Sequence, residues 1–191
     1  MAQELLHHLR KFIKISAEDF LDVIPYFSCR SLQKKDFLLT EGQICKSNYF
    51  VIKGCLRMYF VNEKGVEQTT QFAIENWWIS DYMAFQHQAA TSFFIQAVEK
   101  TEVLTIDRIA QDKLLDRFPI MEKYFRLTFQ HAFAASQMRM KYLYDFSKEE
   151  LYRHFSTNYP SFIQRIPQYL LASYLGFTPE YLSELRAKIR S

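Results

Sequence analysis

The residues best suited to a recognisable function are concentrated at the C-terminal end of the chain. Pro167 and Pro179 each stand at the start of a stretch that can form a helix, and Gly176 lies between the two stretches. Proline is favoured at the first position of a helix, and glycine at the position that ends one. With Thr178 as a candidate N-cap, this order predicts two helices joined by a tight turn.

The two predicted helices have the spacing of a helix-turn-helix. Gln168, Ala172 and Gly176 follow one another at intervals of four, and Leu182 comes six residues later. A small side chain at Ala172 lets the second helix cross closely, Gly176 permits the sharp turn, and Leu182 fills the space between the helices. The second helix of such a pair can insert its first residues into the major groove of DNA.

The exposed positions of the second helix supply the candidate DNA contacts. Glu180 can accept a hydrogen bond from cytosine N4, and the hydroxyls of Thr178 and Ser183 can reach phosphates or base edges. Cations at the end of the helix complement its C-terminus and neutralise phosphates. A plain helical hairpin with a solvated, charged end is the alternative interpretation. The predicted DNA-binding residues are Gln168, Thr178, Pro179, Glu180, Tyr181, Ser183, Glu184, Arg186, Lys188 and Arg190.

The patterns of enzymes and metal sites are missing from the sequence. Cys29, Cys45 and Cys55 have no CxxC spacing, which argues against a disulfide framework and against structural zinc. A jelly-roll metalloenzyme of the cupin kind needs clustered histidines with an acid, and only His87 falls among the predicted strands. The sequence also lacks GxSxG, P-loop and HExxH motifs. We therefore predict no catalytic residue, no metal and no enzyme.

Composition and charge fit a folded protein that faces water. Of the 191 residues, 49% are hydrophobic and 17% aromatic, which supplies enough apolar area for a core. The net charge of +3 permits nucleic-acid binding without indicating it. No stretch approaches the roughly 18 apolar residues that span a membrane, and no signal-peptide pattern is present. We expect a cytoplasmic location and no membrane partner.

Short apolar runs between residues 36 and 106 predict a β-barrel or jelly roll. In one run, Leu56, Met58 and Phe60 alternate with other residues, which is the period of a half-buried strand. Gly42, Gly54 and Gly65 fall at turns between runs. The expected strands are 37–39, 49–52, 56–61, 68–74, 93–98 and 103–106.

Three helices are predicted from capping signals and periodicity. Capping boxes begin at Ser16 and Ser147, each followed three residues later by an acid. Residues 119–146 contain no glycine and no proline after Pro119, so they predict one long helix. A stripe at alternating steps of three and four suits pairing with a second copy, and a second stripe of Phe125, Phe129 and Phe133 suits packing on the barrel. The predicted dimer residues are Tyr124, Leu127, His131, Ala134 and Met138, the alternative being a buried helix in a monomer.

Along nearly its whole length, the chain resembles the Crp/Fnr family of bacterial transcription regulators. Leu39–Gly54 resembles their paired-glycine barrel motif, and Thr105–Pro119 resembles the segment that precedes their long helix. Leu175–Ser183 resembles their recognition element, with Glu180 in the place of a base-contacting glutamate. The resemblance implies an α+β fold with a cyclic-nucleotide-binding-like jelly roll, a dimerisation helix and a helix-turn-helix. The implied domains are residues 1–118, 119–146 and 147–191, and the implied partners are double-stranded DNA, a second copy and RNA polymerase.

The chain departs from the family at the cyclic nucleotide site. The stretches that would hold ribose and phosphate are Trp78–Tyr82 and Ala90–Phe93, and no arginine lies between Arg57 and Arg108. A phosphate inside a barrel needs a guanidinium or a helix N-terminus, so we expect that cyclic AMP is not the effector. No cofactor is predicted, and whether another small molecule binds is left open. Its pocket would be lined by Trp77, Trp78, Asp81, Phe85, Thr91, Ser92 and Phe93.

A second departure concerns DNA recognition. Pro179 and Glu184 stand where the family carries its two recognition arginines, so a different DNA target is expected. Glu180 and Glu184 also weaken the attraction of this helix to DNA. The alternative function is therefore a degenerate regulator that acts through protein contacts without binding DNA.

Overall fold

The structure, a computed structural model, describes residues 2–190, with side chains from Gln3 to Lys188. The helices are α1 Ala2–Leu9, α2 Ala17–Val23, α3 Tyr82–His87, α4 Arg108–Arg117, α5 Ile120–Asp145, α6 Lys148–Asn158, α7 Pro160–Arg165, α8 Gln168–Leu175 and α9 Pro179–Arg190, with a 3₁₀ turn at Ile24–Tyr26. The strands are β1 Ser28–Leu32, β2 Phe37–Leu39, β3 Ser47–Lys53, β4 Leu56–Val61, β5 Glu67–Ala73, β6 Trp78–Ile79, β7 Phe94–Ala97 and β8 Thr101–Asp107.

The strands form two four-stranded sheets, in the orders β1-β8-β3-β6 and β2-β7-β4-β5. Val51 lies opposite Val103 in the first sheet, and Met58 lies opposite Ile95 in the second, both in antiparallel register. Most neighbouring strands are distant in sequence, which is the connectivity of a jelly roll. Together with α5 and the C-terminal helices, these sheets confirm the predicted fold class.

Strand β3 shows how the sequence builds two hydrophobic cores. Tyr49 and Val51 belong to the core between the two sheets, which also contains Leu56 from the opposite sheet. Phe50 and Ile52 point the other way, into a core shared with helices α1, α2, α4 and the start of α5. Successive side chains on a strand alternate between faces, so a strand covered on both faces is a continuous apolar run.

Strand β4 differs from the expected half-buried pattern, because its second face is buried as well. Arg57 and Tyr59 are each only 4% exposed. The Arg57 guanidinium lies 3.9 Å from the centre of the Tyr59 ring, and its Nε and Nη2 donate to Gln96 Oε1 at 3.0 and 2.6 Å. Stacking and hydrogen bonds let a long cation occupy a covered position.

Glycine is required at position 54 by a close approach of two chain segments. Gly54 has φ +103°, and a Cβ there would lie 2.6 Å from the Cα of Thr101. A side chain would therefore clash with backbone that cannot move independently. The turn between β3 and β4 depends on this residue.

The chain divides into two compact units, Met1–Phe60 with Gln71–Gln130, and Val61–Thr70 with His131–Ser191. The second unit thus contains the tip of the β4–β5 hairpin, the later part of α5 and helices α6 to α9. Its core includes Leu151, Phe155 and Leu171. The domain division at residues 118 and 146 stays a prediction. Within residues 2–190, no helix combines the length and the apolarity needed to cross a membrane.

Candidate functional site

The turn between α8 and α9 is built around Gly176. This residue has φ +74°, in the left-handed region that ends many helices. The N–H of Phe177 donates to the carbonyl of Ala172 at 2.8 Å, which closes the last turn of α8. At the other end of the helix, Pro167 is the N-cap and Gln168 the first helical residue, one position later than predicted. The reason is that Pro167 has an extended ψ of 138°.

Helices α8 and α9 pack against each other, and each buries the side chain that was predicted to lie between them. Ala172 on α8 and Leu182 on α9 are both fully buried. Leu185, one turn further along α9, is 5% exposed. The buried side of α9 is therefore determined by packing, and its other side is left in solvent.

The start of α9 presents a polar surface. Thr178 Oγ1 accepts a hydrogen bond from the backbone N–H of Tyr181 at 3.2 Å, so the first turn is capped by a side chain. The side chains that remain exposed at this end define what we call the exposed α9 face: Thr178, Pro179, Glu180, Ser183 and Glu184. These five are all among the residues predicted to contact DNA.

Two further residues predicted to contact DNA make side-chain contacts within the second unit. The half-buried Tyr181 lies edge-to-face against Phe177, with ring centres 5.5 Å apart. The exposed Lys188 places its Nζ 3.3 Å from Glu149 Oε2. Lys188 therefore forms an ion pair with an acid of α6. The sequence did not predict this ion pair.

The remaining predicted contacts differ in accessibility. Gln168 is exposed at the start of α8, and Arg186 is half-buried on α9. The side chain of Arg190 lies outside the described residues. Lys148 is not among the predicted residues, and its Nζ lies 4.9 Å from the centre of the Tyr181 ring. It adds an exposed cation beside the exposed α9 face. No signal beyond its place in the Ser147 capping box distinguishes it.

Helix α8 is also attached to the long helix α5. Arg139 Nη2 donates to the carbonyl of Tyr174 at 2.7 Å, and the guanidinium carbon lies 4.2 Å from the centre of the Tyr174 ring. The contact places a cation at the C-terminal end of α8, where the helix dipole favours it. Burial raises the pKa of the Tyr174 hydroxyl.

The predicted dimer stripe on α5 needs one correction. Tyr124 is fully buried in the core of its own unit, so it is not on an outer face of the helix. Its side chain fits that core because two polar partners, His8 and Trp78, meet its hydroxyl there. Leu127 is half-buried. His131, Ala134 and Met138 are exposed.

A second line of apolar side chains is exposed on α5. Phe133, Met140 and Tyr144 are 66%, 59% and 87% exposed. At about 100° per residue, this line lies roughly 100° around the helix from Ala134. The sequence grouped Phe133 with a stripe that packs on the barrel. That expectation is wrong for Phe133, whereas Phe125 is buried in the helix-facing core.

The residues predicted to line a barrel pocket do not form one pocket. Trp78 lies in the helix-facing core, Phe85 lies in the core between the sheets, and Trp77 is half exposed. Alternation along β6 turns Trp78 to one face and Ile79 to the other, and Phe85 of α3 packs on the same side as Ile79. Ser92 is exposed, and Phe93 packs edge-to-face against Phe60.

Asp81 and Thr91 are the two predicted pocket residues that do meet. Thr91 Oγ1 donates to Asp81 Oδ2 at 2.7 Å, while Asp81 Oδ1 accepts from the N–H of Ala84 at 3.1 Å as the cap of α3. Both residues are buried. This pair supplies a carboxylate and a hydroxyl, which is a poor environment for a phosphate. Among the described side chains, no three His, Cys, Asp or Glu residues gather as a metal site.

Comparison with known proteins agrees with this architecture. Residues 29–118 match the cyclic nucleotide-binding domain family. No curated protein matches the chain significantly in sequence.

Solved structures share the fold at low sequence identity. FixK2 from Bradyrhizobium japonicum has a TM-score of 0.71 and 16% identity, covering 86% of this chain and 84% of FixK2. A CooA variant from Carboxydothermus hydrogenoformans has a TM-score of 0.69 and 17% identity, covering 94% and 86%. The c-di-GMP-responsive regulator CLP from Xanthomonas campestris has a TM-score of 0.70 and 12% identity, covering 92% of both chains.

Proposed function

We propose that this protein regulates transcription by binding double-stranded DNA. The premise is that the chain has the fold of the Crp/Fnr transcription regulators and carries a cyclic nucleotide-binding-type domain at residues 29–118. It acts as a homodimer in the cytoplasm, with RNA polymerase as a further partner, and it is not an enzyme. Helix α9 is the part that enters the major groove.

The observation that carries this proposal is the exposed α9 face. Its polar residues stand at the N-terminal end of a helix whose other side is fixed by Leu182 and Leu185, both buried. A rigid helix with an exposed, polar leading end is what major-groove recognition requires. In this proposal Glu180 accepts from a cytosine N4 amine, and Thr178 and Ser183 donate to base edges or phosphates.

The homodimer rests on helix α5. Its later part leaves His131, Ala134 and Met138 exposed on one line, at the spacing that pairs two parallel helices. Two copies joined in this way present two α9 helices to successive major grooves, about 34 Å apart on the same side of the duplex. The DNA target is then a site with two related halves.

The effector of this regulator is not cyclic AMP. The support is the buried Asp81–Thr91 hydrogen bond of 2.7 Å, since both residues belong to the stretches that resemble the family's ribose- and phosphate-holding segments. A carboxylate repels the cyclic phosphate, and no arginine occurs between Arg57 and Arg108 to neutralise it. Calorimetric titration with cyclic AMP is expected to give no binding heat at millimolar nucleotide. Saturable heat would contradict this part of the proposal.

The test of DNA binding is a gel shift with fragments of the genome that encodes the protein, repeated over a series of salt concentrations. A subset of fragments is expected to be retained at low salt. The logarithm of their affinity should fall linearly with the logarithm of the salt concentration, with a slope set by the number of phosphates neutralised.

A second candidate function is favoured by one observation. Glu180 and Glu184 place two carboxylates on the exposed α9 face, while the charge of Lys188 is shared with Glu149. This is the electrostatic character of a surface that contacts protein rather than DNA. If no fragment is retained at any salt concentration, DNA binding is refuted and this alternative stands.

A further inference from the structure

The tip of the β4–β5 hairpin contacts helix α8 through one side chain. The Ser173 hydroxyl donates to the carbonyl of Glu67 at 2.8 Å and accepts from the backbone N–H of Thr69 at 2.9 Å. All three residues belong to the second unit. One serine of the predicted helix-turn-helix therefore binds the backbone of a strand in two places.

Strand β5 offers these two groups because it is the edge of its sheet. On an antiparallel strand, residues two apart direct their N–H and C=O groups to the same side, so Glu67 and Thr69 both face the open edge. Thr69 is only 3% exposed, so water has little access to its amide. A buried N–H without a partner is costly, and Ser173 supplies that partner.

The next residue along α8 is held from another direction. Tyr174 accepts a hydrogen bond from Arg139 of the long helix α5 at 2.7 Å. Two adjacent residues thus attach α8 to the hairpin and to α5. Because Ala172 is fully buried together with Leu182 of α9, fixing α8 also fixes the direction of α9.

We infer that Ser173 is a positioning residue for DNA binding. Its two hydrogen bonds to the hairpin tip Val61–Thr70 fix α8, and through α8 they fix the direction of α9. The inference rests on the proposed function and adds a residue that does not touch DNA. The hairpin tip and α8 belong to the same unit, and the two hydrogen bonds of Ser173 join them. In this proposal the contact between Ser173 and the hairpin is formed in the DNA-binding state. Formation of the contact must then raise the affinity for DNA by the same factor by which bound DNA favours the contact.

The experiment compares three variants in two measurements. Ser173→Ala removes both hydrogen bonds, and Ser173→Thr keeps a hydroxyl at the same position. Ser156→Ala is the matched control, since Ser156 Oγ donates only within its own helix, to the carbonyl of Arg153 at 3.0 Å. The first measurement is hydrogen exchange of the Thr69 amide, and the second is affinity for a retained DNA fragment. Circular dichroism verifies that each variant keeps the helix content of the wild type.

Ser173→Ala is expected to make the Thr69 amide exchange faster and to weaken DNA binding about fivefold, the usual effect of losing one or two net hydrogen bonds. Ser173→Thr should restore both quantities, and Ser156→Ala should change neither. Adding DNA to the wild type should slow exchange at Thr69 by a similar factor.

Three different results would contradict three different parts of this inference. A Thr69 amide that exchanges equally in wild type and Ser173→Ala overturns the contact. If the Thr69 amide exchanges faster in Ser173→Ala but the DNA affinity of this variant equals or exceeds that of the wild type, the positioning role is overturned. A wild type that binds no DNA refutes the proposed function, while the exchange measurement still tests the contact between Ser173 and the hairpin.

Discussion

The phenolic oxygen of Tyr124 on α5 lies 2.8 Å from Nδ1 of His8 on α1. Trp78 Nε1 donates to the same oxygen at 2.9 Å. An indole N–H can only donate, so the Tyr124 oxygen accepts from Trp78, and the Tyr124 hydroxyl can donate its own hydrogen bond to His8. The geometry therefore suits a His8 ring whose Nδ1 carries no proton. These three side chains join the first helix, a strand and the long helix in a single core.

This arrangement predicts that folding stability falls in mild acid. Burial, followed by the charges of Lys11 and His7, lowers the pKa of His8 from 6.5 to about 4. The unfolded chain then binds the proton more readily than the folded chain does. The contribution is fully present above about pH 6.5 and is lost as the pH falls toward 4, by at most about 3 kcal/mol.

Urea unfolding at pH 7 and at pH 4.5 measures this loss. His8→Gln should flatten the pH dependence across that interval, because the titrating group is gone. His87→Gln, at an exposed position on α3, should leave it in place. An equally steep dependence in His8→Gln would assign the effect to other groups.

Tyr124→Phe should destabilise the protein by about 1–3 kcal/mol, because it leaves Trp78 Nε1 and His8 Nδ1 without their buried partner. Tyr144→Phe is the matched control on the same helix, since Tyr144 is 87% exposed and should tolerate the change. Chemical unfolding measures both free energies. Equal stabilities for the two variants would show that the hydroxyl of Tyr124 contributes nothing.

Glu180→Ala and Arg186→Ala should affect DNA binding in different ways. Arg186→Ala is expected to weaken binding to all fragments and to reduce the salt slope by about one. Glu180→Ala should change which sequence is preferred, by about 1–3 kcal/mol between competing sites. Lys100→Ala, an exposed cation of the first unit, is the control. Unchanged affinity and preference at low salt in both variants would mean that α9 is not the helix that contacts DNA.

The dimer face on α5 can be located with two charge insertions. Ala134 and Ser136 are both exposed, and about 200° separates them around the helix. Ala134→Glu should dissociate the dimer through like-charge repulsion, and Ser136→Glu should leave it intact. Sedimentation equilibrium measures the outcome. Dissociation by Ser136→Glu alone would place the contact nearer to Phe133 and Met140.

Gly176→Ala should cost about 1–2 kcal/mol of stability, because φ of +74° is unfavourable for any residue with a Cβ. The space around the position is open, so no clash adds to this cost. Gly176→Asn should cost less, since asparagine tolerates the left-handed region better. Thermal unfolding compares the two variants, and an alanine variant as stable as the wild type would contradict the conformational argument.

Local signals in the sequence were sufficient for several elements. The capping boxes at Ser16 and Ser147 start helices α2 and α6, because a side chain and a backbone N–H three residues apart satisfy each other without help from the rest of the fold. Gly176 and Thr178 define the turn and the start of α9 for the same reason. The jelly roll followed from the short apolar runs together with the resemblance.

Other features depended on contacts that no local pattern contains. Strand β1 was missed because four of its five residues are exposed, and pairing with β8 alone makes it a strand. Trp78 and Phe85 are distributed to opposite cores by the alternation of β6 and by α3, so the predicted pocket dispersed.

The sequence by itself determined helices α2, α5, α6, α8 and α9, the caps at Ser16, Ser147 and Thr178, and which residues occupy the start of α9. Only the tertiary structure decided that Tyr124 is buried against His8, that Lys188 meets Glu149 and that Ser173 binds the hairpin backbone. Caps and turns are formed by neighbours in the chain, whereas these contacts join residues between 39 and 116 positions apart. Such pairs are set by how helices and sheets pack, because packing selects the partners that satisfy each buried polar group.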